Sequence, residues 1–307
     1  MPINNPPNDH HFLPVFYLSR WQGAEGLVEF ARRGSGKIEG RPCFPKSTGY
    51  QPGLYKNRFH SDPVSAQSLE TDFMQILDRR AAESLALFEE GLKTIWTNEE
   101  ASNWTRFILS LLQRTPEEVE QYKKSYSEFM QRLDARDEEL YKAARWDGMP
   151  ETLSEYIGQQ RERTERGSLN LLRNLIGHPQ LVQLINGMVW NTLETPDAEF
   201  EFLTSDRPVL MTSTLGEDNA YIVLPIGPHR LFAAAKDKIT MKMLKNKNQT
   251  DLVKIINKQV VSHAVKYAYG SNHSQLRFVQ NNLSTMNFEP LFTRLTRAMK
   301  KDHPRLC

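Results

Sequence analysis

Cysteine is scarce. Cys43 and Cys307 are the only two, and they supply neither a disulfide framework nor a pair at zinc-site spacing, so the chain reads as one from a reducing compartment. An excess of one charge is missing as well. The 39 Lys and Arg residues stand against 37 Asp and Glu, for a net charge of +2. That balance excludes a broadly basic nucleic-acid binder and removes the simplest electrostatic argument for a dedicated membrane-surface binder, so any basic site must be local. No apolar run approaches the length that crosses a bilayer, and the N-terminal residues lack both the basic start and the apolar stretch of a secretory signal. The expectation is a cytoplasmic protein with no membrane partner. Also absent are a glycine-rich phosphate loop, a dinucleotide fingerprint, HExxH, GxSxG and a Cys/His zinc pattern, which removes the common motif-marked enzyme classes.

Hydrophobic residues at 39% and aromatics at 10% are enough to bury a core, so disorder of the whole chain is excluded. Between residues 62 and 92, Leu69, Phe73, Ile76, Leu77, Leu85, Phe88 and Leu92 fall on one helical stripe. Thr97 with Glu100 has capping-box spacing ahead of a second helix whose face is Trp104, Phe107, Ile108, Leu111 and Leu112. Thr115-Pro116-Glu117-Glu118 opens a third, expected to run to Trp146. Thr152 and Glu155 start a short fourth. A fifth spans 169–176 and ends at Gly177 in a left-handed conformation, and His178-Pro179 opens a sixth that buries Leu181, Leu184, Ile185, Met188 and Val189. Past Pro196 the period shortens, and 199–204, 209–212, 221–224 and 231–235 read as strands. A last helix over 250–269 stops at Gly270. At the other end, 27–32 reads as a strand, 13–21 as a short helix or strand, and 33–55 as a long loop.

The sum is an α+β protein: a helical middle of several long helices packed with one small mixed or antiparallel sheet formed from N-terminal and C-terminal strands. The expected organisation is a single domain over 1–307. It has an N-terminal segment at 8–60, a helical region at 62–195, a strand-rich region at 196–245, and a helix and tail at 250–307.

Two constellations can carry chemistry. The first is His10, His11, Tyr17, Arg20 and Trp21, which brings a proton carrier, a phenolic donor and a fork-shaped anion binder within a dozen residues. Its bland reading is aromatics packed on the helices with polar ends in water. The second is Thr204-Ser205-Asp206-Arg207-Pro208, a polar break in an apolar strand, which either aims side chains into a site or makes ordinary Asx and Ser turns. Glu70 and Asp78, eight apart on the first long helix, share one face as acidic ligands or bases, or else as plain surface charge. Arg114 stands at a helix end. His263 lies one turn from Gln259 and reads as a packing histidine, and residues 161–166 read as a solvated helix face. Lys236, Lys238, Lys242, Lys245 and Lys247 form a basic connection before the last helix, with no aromatics among them.

The order of these pieces resembles a known family. His11-Phe-Leu-Pro14-Val-Phe-Tyr17-Leu18, Gly53-Leu54-Tyr55, Leu69-Glu70, Asp78, Gln113-Arg114-Thr115-Pro116, Thr204-Ser205-Asp206-Arg207-Pro208-Val209, Leu224-Pro225-Ile226-Gly227-Pro228 and Asn257 resemble the bacterial domain-of-unknown-function family catalogued as 4238. Asp78 stands where that family more often has Glu, and Gly227 where it more often has a hydroxyl residue. The resemblance carries no activity, but it implies that the recurring polar residues are not incidental, and it favours His11 over His10.

Two functions compete. The first is a hydrolase acting on a phosphate-bearing substrate, nucleic acid or nucleotide. In it His11, Tyr17, Glu70 and Asp206 are catalytic, Arg20, Arg114, Ser205, Arg207 and Asn257 bind substrate, and Asp206 and Glu70 orient the histidine or hold a divalent metal ion. It requires His11, Tyr17, Arg20, Glu70, Arg114, Ser205 and Asp206 to converge. The second is a non-enzymatic protein-binding module, which requires His11 and Asp206 to be buried and fully hydrogen-bonded.

Overall fold

The computed structural model describes residues 8–89, 96–131, 135–212, 215–287, 289–291 and 293. Leu92 and Cys307 lie outside them. The described chain is α+β, with every strand pairing antiparallel. It begins with strand β1 (Asp9–His11), the short helix α1 (Val15–Leu18) and a 3₁₀ turn at Ser19–Trp21. Strands β2 (Leu27–Arg32), β3 (Ile38–Cys43) and β4 (Tyr50–Pro52) follow, so the expected loop over 33–55 holds two strands.

A turn at Ser65–Gln67 and a π-helical stretch, Glu70–Met74, then lead into α2 (Gln75–Glu89). Helices α3 (Asn98–Gln113), α4 (Pro116–Met130), α5 (Ala135–Ala144), α6 (Leu153–Gln159), α7 (Arg161–Ile176) and α8 (Pro179–Asn186) complete the middle. After it come β5 (Val189–Glu194), β6 (Thr204–Ser205), β7 (Leu210–Met211), β8 (Tyr221–Gly227) and β9 (Arg230–Ala235). Helices α9 (Lys238–Lys245) and α10 (Gln249–His263), strand β10 (Tyr267–Gly270) and helix α11 (Leu276–Asn282) close the described fold.

The expected single sheet is divided. Strands β3, β2, β10 and β6, in that order, form a four-stranded sheet that does join N-terminal to C-terminal strands. A second four-stranded sheet has the order β5, β9, β8, β7, and β1 pairs with β4 alone. Period-2 alternation explains why β8 and β9 are buried along their length. Ile222, Leu224, Phe232 and Ala234 face the helical core beside Trp104, Phe107 and Phe88, whereas Val223, Leu231, Ala233 and Ala235 face Met241, Leu244, Val253 and Ile256 of α9 and α10. The sheet is therefore covered on both sides.

Local chemistry placed some boundaries correctly. Both capping boxes form: Thr97 with Glu100, and Thr152 with Glu155. Other expectations need correction. The third helix stops at Met130 instead of running to Trp146, and the fifth begins at Arg161. Gly177 has φ −91° and is not left-handed. Helix α8 buries Val182 and Ile185, while Leu184 is exposed. Val189, expected on the sixth helix, opens strand β5, the expected strand at 199–204 keeps only Thr204, and α10 ends at His263 so that 267–270 can pair with β2. Each of these depends on a partner strand far away in sequence, which no local pattern reports. Gly26 is needed where it stands: its φ is +98°, and a Cβ there would sit 2.3 Å from the Cys43 carbonyl oxygen at the open end of the β2–β3 hairpin.

Candidate functional site

The candidate catalytic and substrate-binding residues fall into four places. The first holds His11, Glu70 and Arg114, joined by Asp78. Arg114 is the residue after α3, fully buried, with its guanidinium over the Phe107 ring at 5.7 Å. Its Nη1 donates to Asp78 Oδ1 at 2.7 Å, and its backbone carbonyl accepts from the Tyr55 hydroxyl at 2.9 Å. Its Nε and Nη2 have no partner. An arginine held by one carboxylate oxygen, buried and with two donor nitrogens left over, has the chemistry to take an anion on the unfilled part of its fork.

Glu70 opens the π-helical stretch, a backbone irregularity frequent at functional sites, and it is buried. Gln75 Nε2 reaches its Oε1 at 3.4 Å, and Oε2 has no partner. Burial raises its carboxyl from 4.5 to about 7; the Gln75 bond opposes this, the Asp78 charge adds to it, and the Arg114 charge opposes it least. Asp78 is also raised by burial, with Arg114 pulling it back. Its side chain remains 22% exposed, so the Asp78–Arg114 pair reaches solvent on one side.

His11 ends β1 and is half-buried against Tyr50, ring centroids 5.5 Å apart. Its Nε2 is buried and has no partner. Burial lowers its pKa below 6.5; a backbone hydrogen bond with Lys46 and the Asp9 charge raise it, and the Arg114 charge lowers it further. The neutral ring is therefore the form at neutral pH. His10 points the other way and is wholly buried. The Tyr55 amide donates to its Nδ1 at 2.9 Å, so Nε2 is the donor to Gln67 Oε1 at 2.7 Å, and the ring stacks on Tyr55 at 5.5 Å. Through His10, Tyr55 and Gln67, which the motif reading did not single out as functional, tie β1 to the Ser65–Gln67 turn that precedes the π-helical stretch.

The second place holds Tyr17 and Arg20. Tyr17 donates its hydroxyl proton to the Pro225 carbonyl at 2.8 Å, and Thr204 Oγ1 therefore donates to it at 2.7 Å. Burial raises the phenol far above its usual range. Arg20 Nε donates to the Ile226 carbonyl at 3.1 Å. The third place is the Asp206 turn. Asp206 accepts the backbone amides of Val265, Lys266 and Tyr267 at 2.9, 2.6 and 3.0 Å and so holds the chain between α10 and β10. Burial raises its carboxyl to about 6, and those three amides, then Arg207, hold it from going higher. Ser205 Oγ accepts the Arg207 amide at 3.1 Å. Arg207 reaches Thr115 Oγ1 at 3.0 Å and Glu118 Oε1 at 3.4 Å at the start of α4. Thr115, the N-cap residue of α4, thus engages Arg207 and makes no side-chain cap bond to the helix.

The fourth place is Asn257, whose Oδ1 accepts the Leu203 amide at 2.9 Å and whose Nδ2 donates to the Glu201 carbonyl at 2.8 Å and Gln275 Oε1 at 3.0 Å. Glu70 and Asp206, expected together around a metal ion, lie in different places. Among the described residues no three His, Cys, Asp or Glu side chains are grouped so as to hold a metal ion. No helix among them is long and apolar enough to cross a membrane.

Comparison with family models matches residues 9–274 to one described as "Protein of unknown function (DUF4238)". No curated protein and no solved structure matches the chain.

Proposed function

This chain belongs to the DUF4238 family of proteins of unknown function, and from that premise we propose that His11, Glu70, Asp78 and Arg114 form the acid–base and anion-binding site of a hydrolase. Its substrate carries a phosphate, as a nucleotide or nucleic acid does. The observation that carries the reading is the set of unpartnered buried polar atoms on three of these residues: Arg114 Nε and Nη2, Glu70 Oε2 and His11 Nε2. Buried donors and acceptors are normally satisfied, and a group left open in a fold is what a ligand fills.

Arg114 offers two parallel N–H groups to two phosphoryl oxygens, and Asp78 fixes the plane of the guanidinium. Glu70, at about 7, takes a proton from water as the water oxygen attacks phosphorus. As the bond to the leaving oxygen breaks, that oxygen takes the proton back from Glu70. His11, neutral, orients the water through Nε2. Tyr17, Arg20, Ser205, Asp206, Arg207 and Asn257 serve this reading as the frame that positions β1, the α3–α4 junction and β10.

The competing reading, a non-enzymatic protein-binding module with structural signature residues, is favoured by the full internal use of Tyr17, Asp206 and Asn257. It requires the same of His11, whose Nε2 is open.

The test is hydrolysis of a panel of phosphomonoesters, nucleotides and single-stranded oligonucleotides by the intact chain and by Glu70→Gln. The expected result is hydrolysis of at least one class, rising with pH through about 7 as Glu70 ionises, with kcat lowered about a hundredfold or more in the variant. Hydrolysis of none, or an unchanged kcat in Glu70→Gln, overturns the reading.

A further inference from the structure

The five lysines between β9 and α10 do not lie in an irregular connection. Residues Lys238–Lys245 are helix α9, with Asp237 as its N-cap accepting the Thr240 amide at 2.7 Å. One side of the helix, Thr240, Met241 and Leu244, is buried against the second sheet. The opposite side presents Ile239, 74% exposed, and Met243, 61% exposed, one turn apart. Lys236, Lys238, Lys242, Lys245 and Lys247 are all exposed around them. Two carboxylates offset part of this charge, Asp218 paired with Lys236 at 3.2 Å and Asp237 at the N-cap, and the five lysines outnumber them. The whole-chain sum of +2 conceals this local excess.

We propose that this face of α9 docks on an anionic lipid surface. Two apolar side chains stand out on the exposed side of α9, where a solvated helix face would carry polar residues, and cations surround them. That combination matches the headgroup region, where apolar side chains enter the acyl boundary and lysines meet anionic phosphates. A nucleic-acid surface calls for the same cations but gives Ile239 and Met243 nothing to enter. The contact is peripheral, and it revises the expectation, drawn from net charge, that the chain has no membrane partner. It does not depend on the proposed hydrolase site, since none of these residues belongs to it.

The experiment is co-sedimentation of the intact protein with vesicles of phosphatidylcholine alone and of phosphatidylcholine with about a third phosphatidylserine. It is repeated for Ile239→Ser with Met243→Ser and for Lys238→Ala with Lys242→Ala. All four positions are exposed, and circular dichroism checks that each double variant keeps the parent's fold. The expected result is partition onto phosphatidylserine vesicles only. Partition weakens about 25-fold when the two lysines are lost, roughly fivefold for each, and at least about tenfold when the two apolar side chains become serine. No partition onto phosphatidylserine vesicles, or retention of binding by either double variant, overturns the proposal. So does preferential binding to a DNA duplex that the same variants abolish, which assigns the face to nucleic acid.

Discussion

Replacing Glu70 with glutamine removes a carboxyl that burial raises from 4.5 to about 7. In the unfolded chain Glu70 gives up its proton near the ordinary value; in the fold it holds the proton until about 7. The folded state thus binds the extra proton between these values, and the stability Glu70 contributes is complete below the unfolded pKa and lost as pH rises through the folded one. A rise from 4.5 to about 7, at about 1.4 kcal/mol per unit, makes that loss about 3 kcal/mol. Glutamine has nearly the same shape and no proton to lose, so its stability lacks this slope.

Urea unfolding followed by circular dichroism, run on both proteins across about pH 4 to 8, gives the difference directly. The raised carboxyls of Asp78 and Asp206 titrate in both proteins and largely cancel. Relative to the parent, Glu70→Gln should gain about 3 kcal/mol from the acid end to the alkaline end and be the more stable protein above neutrality. Such a gain, paired with lost turnover, is what a strained site residue produces. A flat difference, or one with the opposite slope, refutes the reasoning, because it means that Glu70 is ionised in the fold and held by Arg114.

Three further outcomes follow from the frame around the site. Asp206→Ala leaves three amides of the α10–β10 turn without an acceptor and should cost about 3 kcal/mol, read as a lower urea midpoint with an unchanged slope; a loss below about 1 kcal/mol contradicts the anchor role. Tyr17→Phe strands the buried Pro225 carbonyl and should cost about 2 kcal/mol in the same assay. Thr97→Ala breaks a complete capping box and should cost about 1 kcal/mol, with local hydrogen exchange in the first turn of α3 rising accordingly.

What could be read in the chain was what neighbours in sequence decide. Thr97 and Glu100 announce a helix start because the residues that complete the cap are three apart, and the Glu70–Asp78 spacing places two acids along the helix that begins the helical region. The sequence also marks Arg114 as a helix end. Hidden were the consequences of distant pairing. Val189 looks like the last buried residue of the sixth helix until β9 pairs with Val189–Glu194, and 267–270 looks like the end of α10 until β2 and β6 take it from both sides. The π-helical stretch at Glu70–Met74 also resets the register between Glu70 and Asp78, so that both act on Arg114. Proximity in sequence had grouped His11 with Tyr17 and Arg20, and Ser205 with Asp206. In the fold the histidine comes within reach of the Arg114 charge, while the others are occupied with backbone.

The central claim is that Arg114 keeps part of its guanidinium open for a phosphoryl group, and nitrogen-15 NMR of the arginine side chains tests it most directly. The Arg114 Nε–H resonance, assigned by its loss in Arg114→Lys, is followed while inorganic phosphate is added to the intact protein. A saturable shift of that resonance, kept in Glu70→Gln at a pH where Glu70 is protonated and not produced by chloride at equal ionic strength, is the predicted result. An Arg114 resonance that phosphate leaves in place contradicts the account.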